Sequence, residues 1–260
     1  MTIDVRSFSS RVGATNFVNR VSETVVLTEF LRNELVGGSP SDPDRDLFRQ
    51  LACRLHAKDG GVIRACKSLR LLRRYVLWSE LPNNTRWWSV SVGGEDLDEM
   101  MVFSRGKLTR SVGAQLRLRD FAERIRSGRV SDRFGEIAKI RLLARNFVRQ
   151  EQRTAILLLG TSEKSPFTVL DGNHRIIAAL LSAPDLIPAK FDFFCGLSPR
   201  MSQCLWHNMT MFNFCAYAWR RLGYMLYSTA FSSDVVLKQS RNTSGVCAPA
   251  PFDDESSPTC

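Results

Sequence analysis

The chain has 260 residues, of which 44% are hydrophobic, enough to bury the core of one elaborated domain or of two small ones. Its 36 lysines and arginines outnumber its 26 acidic residues, and the formal net charge of +10 favours anionic partners such as nucleic acid, nucleotides or acidic membranes. Seven scattered cysteines without a Cys-x-x-Cys pair argue against a structural zinc site, and no apolar run reaches the roughly 18 residues of a membrane span.

Residues 1–85 are predicted to form a basic helical region. Hydrophobic spacing predicts a helix that ends near residue 36, and a loop rich in Gly, Ser, Pro and Asp follows it. A later helix, at about 62–78, carries five basic side chains: Arg64, Lys67, Arg70, Arg73 and Arg74. The segment 64–74 is therefore a candidate nucleic-acid surface, although a solvated helix face has the same composition.

Residues 86–196 are predicted to contain the α+β core. Bulky and β-branched residues alternate with serine at 87–92, which predicts a strand. Apolar residues recur at the helical period near 118–128 and 137–148, and each stretch predicts an amphipathic helix.

The clearest unit of the sequence runs from residue 154 to residue 194. A short apolar run at 154–159 predicts a first strand, and a second strand is expected at 167–170. The residues near 174–182 are apolar all round, as in a helix that is buried on most sides. A third strand is expected at 187–194, with a proline near its start.

The C-terminal part is predicted to form an aromatic helical extension at 197–241 and a disordered tail at 242–260, because the tail is rich in Ser, Pro and Asp. Scattered thiols without a signal peptide indicate a reducing compartment, so a cytoplasmic location without membrane contact is expected.

A five-residue turn follows the second strand of this unit and is predicted to hold a phosphate: Asp171, Gly172, Asn173, His174 and Arg175. Gly172 allows close backbone approach, and Asn173 stands where a helix N-cap is expected. Free N–H groups at a helix start favour an anion, Arg175 can bind phosphate oxygens bidentately, and His174 adds a second donor. Each residue type also occurs in ordinary turns, but the five together predict a functional one.

Residues 167–179, Phe-Thr-Val-Leu-Asp-Gly-Asn-His-Arg-Ile-Ile-Ala-Ala, resemble the central motif of the ParB/sulfiredoxin-like superfamily. In that family a strand runs into an Asp-Gly-x-His-Arg turn and then an Ala-rich helix, and residues 187–191 are similar to its following strand. The resemblance implies an α+β fold with a small mixed sheet of this kind, with helices added at both ends. It also implies that ATP or another nucleoside triphosphate is bound by Gly172, Asn173, His174 and Arg175.

The resemblance further implies a nucleotide-dependent phosphotransferase, such as a kinase, or a nucleotide hydrolase that acts on a small molecule or a protein. Asp171 and His174 are the candidate catalytic residues, and Asp171 would hold Mg²⁺ or orient the attacking group. The small-molecule kinases of the superfamily use an upstream carboxylate as base, for which Glu136 and Glu151 are candidates.

Sulfiredoxins place a cysteine before the His-Arg pair, and because that position is Asn173 here, thiol catalysis at this site is excluded.

Two other functions stay open at this point. A ParB-like nucleic-acid-binding protein or nuclease is the main alternative, in which the basic residues 64–74 would contact the phosphate backbone. A non-catalytic interaction module is the other.

Overall fold

The computed structural model describes residues 15–37, 78, 80–103, 116–132, 135–164 and 166–204, together with positions 207, 215, 218 and 219. Within these ranges the fold is α+β, as predicted, with one mixed sheet of six strands and helices against it. The predicted basic surface at 64–74, the predicted tail at 242–260 and most of the predicted aromatic extension lie outside the described residues.

The strands of the sheet are, in chain order, β1 (Asn16–Val21), β2 (Arg86–Ser91), β3 (Met101–Val102), β4 (Thr154–Gly160), β5 (Thr168–Asp171) and β6 (Phe191–Leu197). Across the sheet their order is β1-β2-β6-β4-β5-β3. β4 pairs parallel with β6 and antiparallel with β5, so it lies in the interior of the sheet. Every residue of β4 is buried, which requires a layer of structure on each face.

The helices are α1 (Glu23–Gly37), α2 (Gly94–Glu99), α3 (Leu118–Arg126), α4 (Glu136–Phe147), α5 (Asn173–Ser182) and α6 (Ile187–Lys190). Short 3₁₀ turns occupy Pro184–Leu186 and Pro199–Gln203. Among these described helices none is both long and apolar enough to cross a bilayer.

Alternate residues of β4 divide the core into two clusters, because successive side chains of a strand point to opposite faces. Ile156 and Leu158 belong to the cluster that α3, α4 and α5 complete. Leu157 and Leu159 belong to the cluster that contains the apolar residues of α1, among them Leu27. The sheet is therefore covered by α1 on one face and by α3, α4 and α5 on the other.

The predicted strand-turn-helix unit is confirmed in its first three parts, by β4, β5 and α5. The third strand, predicted at 187–194, is only partly correct, because residues 187–190 form α6 and the strand begins at Phe191. Pro188 lies in the first turn of α6, where its fixed φ suits a helix and its missing N–H has no cost. The edge strand β1 was not predicted, because its residues are mostly exposed and show no clear alternation.

Candidate functional site

The predicted phosphate-binding turn lies where β5 ends and α5 begins. Gly172 is the N-cap of α5 and Asn173 is its first residue, so the predicted N-cap was wrong by one position. The side chain of Asn173 instead accepts a hydrogen bond from the N–H of Phe103 at 3.4 Å and donates to the carbonyl of Val169 at 2.9 Å. Asn173 therefore ties the start of α5 to β5 and to the residue that follows β3.

Gly172 is required by the packing as well as by the backbone. Its φ of 96° lies in the left-handed region that L side chains rarely adopt. A Cβ at this position would lie 2.4 Å from Cδ1 of Ile156 and 3.2 Å from Nη2 of Arg175. The turn can thus approach β4 closely only because residue 172 has no side chain.

The start of α5 leaves backbone donors without acceptors. The first bond of the helix joins the N–H of Ile176 to the carbonyl of Gly172 at 3.0 Å, and no side chain caps the helix. In the part of the chain that the structure describes, the N–H groups of Asn173, His174 and Arg175 therefore have no hydrogen-bond acceptor. Such groups, aligned with the positive end of the helix dipole, favour an anion.

Arg175 is held in a network at the same turn. Its Nη2 lies 3.0 Å from Oδ2 of Asp171, and its Nη1 donates to Oδ1 of Asn33 at 2.7 Å. Asn33 also donates, through Nδ2, to Asp171 at 3.0 Å and to the carbonyl of Ala155 at 2.9 Å. Because only two of the five guanidinium N–H groups make these bonds, Arg175 keeps donors that have no acceptor among the described residues.

The sequence analysis did not assign Asn33 to the site, although its position in α1 offered an indication. It is a buried polar residue in the mostly apolar stripe of α1, two positions after Leu31. Buried amides need hydrogen-bond partners, so a polar residue among apolar ones marks a polar contact. Which contact it marks depends on the tertiary fold, since Asn33 and Asp171 are 138 positions apart in the chain.

His174 pairs with Glu136, the first residue of α4. Nε2 of His174 lies 2.5 Å from Oε2 of Glu136, and the two side chains are 29% and 17% exposed. Burial lowers the pKa of His174 below its usual 6.5, while the hydrogen bond that His174 donates to Glu136 opposes that shift and the positive charge of Lys139 adds to it. The net direction of the shift favours the neutral imidazole.

The hydrogen bond to Glu136 also fixes which imidazole nitrogen is basic. A carboxylate can only accept, so Nε2 of a neutral His174 carries the proton and Nδ1 is left as the acceptor. The other candidate base, Glu151, is exposed in the loop before β4. Glu136 rather than Glu151 thus lies beside a residue of the turn.

The turn offers little to a metal ion by itself. In the described ranges no three His, Cys, Asp or Glu side chains cluster so as to hold a metal. Oδ2 of Asp171 accepts from Asn33 and Arg175, while Oδ1 has no hydrogen bond to a described residue. One free carboxylate oxygen fits Mg²⁺ that arrives bound to phosphate oxygens and water, but it does not make an all-protein magnesium site.

The predicted site residues therefore lie together, at the end of β5 and the start of α5, and two residues from other elements join them. Asn33 comes from α1, on one face of the sheet, and Glu136 comes from α4, on the other. Comparison of the chain with family models, with curated proteins and with solved structures gave no match.

Proposed function

We propose that the chain is a member of the ParB/sulfiredoxin-like superfamily and acts as a nucleoside-triphosphate-dependent phosphotransferase or nucleotide hydrolase on a small molecule or a protein. The observation that carries this proposal is the set of three open N–H groups at Asn173, His174 and Arg175. These groups lie beside the partly buried His174–Glu136 pair, so an anion-binding element and a basic nitrogen share one helical turn. A cytoplasmic location agrees with such an activity.

The phosphates would be bound mainly by the backbone. The open N–H groups of α5 would donate hydrogen bonds to phosphate oxygens without the loss of side-chain entropy that flexible donors incur. The free N–H groups of Arg175 add a positive charge, and the pairing with Asp171 and Asn33 holds the guanidinium in one orientation. Asp171 keeps one oxygen for the magnesium ion of the nucleotide, which when bound neutralises phosphate charge.

The His174–Glu136 pair would supply the proton transfer. Nδ1 of His174 accepts the proton of the attacking hydroxyl or water as its oxygen bonds to the terminal phosphorus. The bond from that phosphorus to the bridging oxygen breaks, and the nucleoside diphosphate leaves. Glu136 stabilises the imidazolium that forms, so it acts through His174. The rest of the catalysis is positioning and charge neutralisation, which is what phosphoryl transfer mainly needs.

Isothermal titration calorimetry with a panel of nucleotides tests the proposal, each measured with and without Mg²⁺. We expect a triphosphate to bind more tightly than the matching diphosphate, and Mg²⁺ to strengthen that preference. Release of phosphate or labelling of a substrate would then be followed with the preferred nucleotide. Absence of binding to every nucleotide would remove the proposal, and binding to DNA alone would favour the nucleic-acid alternative.

A further inference from the structure

The outer surface formed by the last turn of α3, by α4 and by the described residues between and just after these helices is strongly basic. From residue 123 to residue 149, all the described lysines and arginines are exposed: Arg124, Arg126, Arg129, Lys139, Arg141, Arg145 and Arg149. The described acidic residues of the same stretch are Glu123, Asp132 and Glu136. The positive charges thus outnumber the negative ones by more than two to one.

Each of these acidic groups already has a partner within the fold. Glu123 forms an ion pair with Arg126 at 2.6 Å, and Glu136 pairs with His174. The carboxylate of Asp132 accepts hydrogen bonds from the N–H groups of Ile137 and Ala138, both at 2.9 Å, and so caps the start of α4. Apart from Arg126, the basic side chains of this surface have no acidic partner among the described residues.

Three arginines of α4 and of the turn after it recur at a spacing of four positions. Arg141 and Arg145 lie along one side of α4, about 6 Å apart, and Arg149 lies in the turn that follows the helix. Nη2 of Arg141 lies 3.5 Å from the carbonyl of Ile125, so the row lies next to the end of α3, where Arg124 and Arg129 are found. We call these five arginines, at 124, 129, 141, 145 and 149, the arginine face.

We propose that the arginine face binds the sugar-phosphate backbone of a nucleic acid, without regard to base sequence. The planar guanidinium group matches phosphate oxygens bidentately, and a regular row of cations suits a polymer with regularly spaced anions.

The composition of the described part of this surface argues against a membrane or an apolar peptide as its partner. The exposed large apolar residues described there are Leu142 and Val148, which are too few to insert into a membrane or to line a peptide groove. The one aromatic residue of α4, Phe147, is buried, so α4 offers no ring for base stacking. Contacts to the phosphates alone position a strand but do not read its bases.

Fluorescence anisotropy with short labelled RNA and DNA, single-stranded and duplex, tests the proposal. The variant Arg141→Gln/Arg145→Gln/Arg149→Gln removes the row, and glutamine keeps nearly the helix propensity of arginine. The variant Arg20→Gln/Arg86→Gln/Arg200→Gln removes the same charge from exposed positions on other elements. We expect the first variant to lose roughly tenfold or more in affinity at low salt. For single strands, the slope of log K against log salt concentration should become less steep by about 2. The control should change far less.

Several results would overturn the proposal. They are failure of the natural protein to bind any nucleic acid at low salt, equal losses in the two variants, and preference for phosphatidylserine vesicles or polyglutamate. Loss only on substitution of Arg70, Arg73 and Arg74 would assign the binding to residues 64–74 instead. Melting temperatures show whether each variant is folded. Nucleotide binding at the α5 turn is measured separately. The nucleic-acid proposal and the nucleotide proposal can therefore be rejected independently of each other.

Discussion

Nε2 of His174 lies 2.5 Å from Oε2 of Glu136, so the beginnings of α4 and α5 meet at a histidine–carboxylate pair. Burial lowers the pKa of the imidazole, and the carboxylate opposes that shift by favouring the protonated ring. The pair leaves Nδ1 of His174 without a hydrogen bond to a described residue, and the catalytic role proposed for His174 depends on that nitrogen.

Glu136→Gln should lower the pKa of His174 further, because the carboxylate is what raises it against burial. Turnover should fall in this variant while nucleotide affinity stays the same, and His174→Ala should lose about 100-fold or more in rate. Titration of the His174 ring by NMR and steady-state kinetics measure the two effects. The control is Glu151→Gln, which changes an exposed glutamate and should leave both unchanged. Equal losses in the two glutamine variants would contradict the pairing.

The pH dependence of stability should carry the signature of His174. Its pKa is lower in the folded protein than the 6.5 of an unfolded chain, so the unfolded state binds more protons at acid pH. The stabilisation is therefore complete above about pH 6.5 and is lost as the pH falls through the folded-state pKa. Chemical denaturation between pH 5 and 8 should show a smaller pH dependence for His174→Gln than for the natural protein. An identical dependence would contradict the assigned burial.

The sequence located the turn because its five residues are consecutive, and because the strand before it and the helix after it have clear apolar patterns. It named Glu136 but could not choose it over Glu151, since the choice depends on how α4 packs against α5. Asn33 could not be assigned to the site either, because its contacts cross from one face of the sheet to the end of β5. The local spacing of apolar residues thus predicts the helices and strands, whereas contacts between side chains that are distant in the sequence can be identified only once the tertiary fold is known.

Asn33→Ala should destabilise the protein by about 1–3 kcal/mol, the cost of leaving buried polar groups unpaired. The change removes the acceptor of Arg175 and the donor to Asp171 and Ala155. Urea denaturation measures the loss. The neighbouring Arg32 has a side chain that is 56% exposed, so Arg32→Ala is a control that should cost little. A fully stable Asn33→Ala protein would show that the network contributes nothing.

Gly172→Ala should cost at least about 1 kcal/mol from backbone strain, because an L residue at a φ of 96° is unfavourable. A further loss should come from the contact of the new Cβ with Cδ1 of Ile156. Ile156→Val removes that methyl group and by itself should cost about 0.5–1.5 kcal/mol. The double variant should therefore be more stable than the sum of the single losses predicts. Simple additivity would show that the close approach to β4 is unimportant.

Arg175→Ala should weaken nucleotide binding by about 1.5–3 kcal/mol, the scale of a charged hydrogen bond, and Arg175→Lys should restore it only in part. Asp171→Asn, which is nearly isosteric, should spare affinity and suppress turnover if the carboxylate holds magnesium or orients the nucleophile. Calorimetry and melting temperature are compared for each variant, because Arg175 also stabilises the fold through Asn33 and Asp171.

Asn33→Ala separates the two roles of Arg175, since it disrupts the same network but keeps the guanidinium group. If Arg175 contacts a phosphate, Asn33→Ala and Arg175→Ala should both lower the melting temperature, but Arg175→Ala should lose much more nucleotide affinity. If Arg175 is only structural, the two variants should lose stability in parallel and neither should show a selective loss of affinity. A folded Arg175→Ala protein with unchanged nucleotide affinity would end the phosphate-contact hypothesis and leave anion binding to the N–H groups of α5 alone.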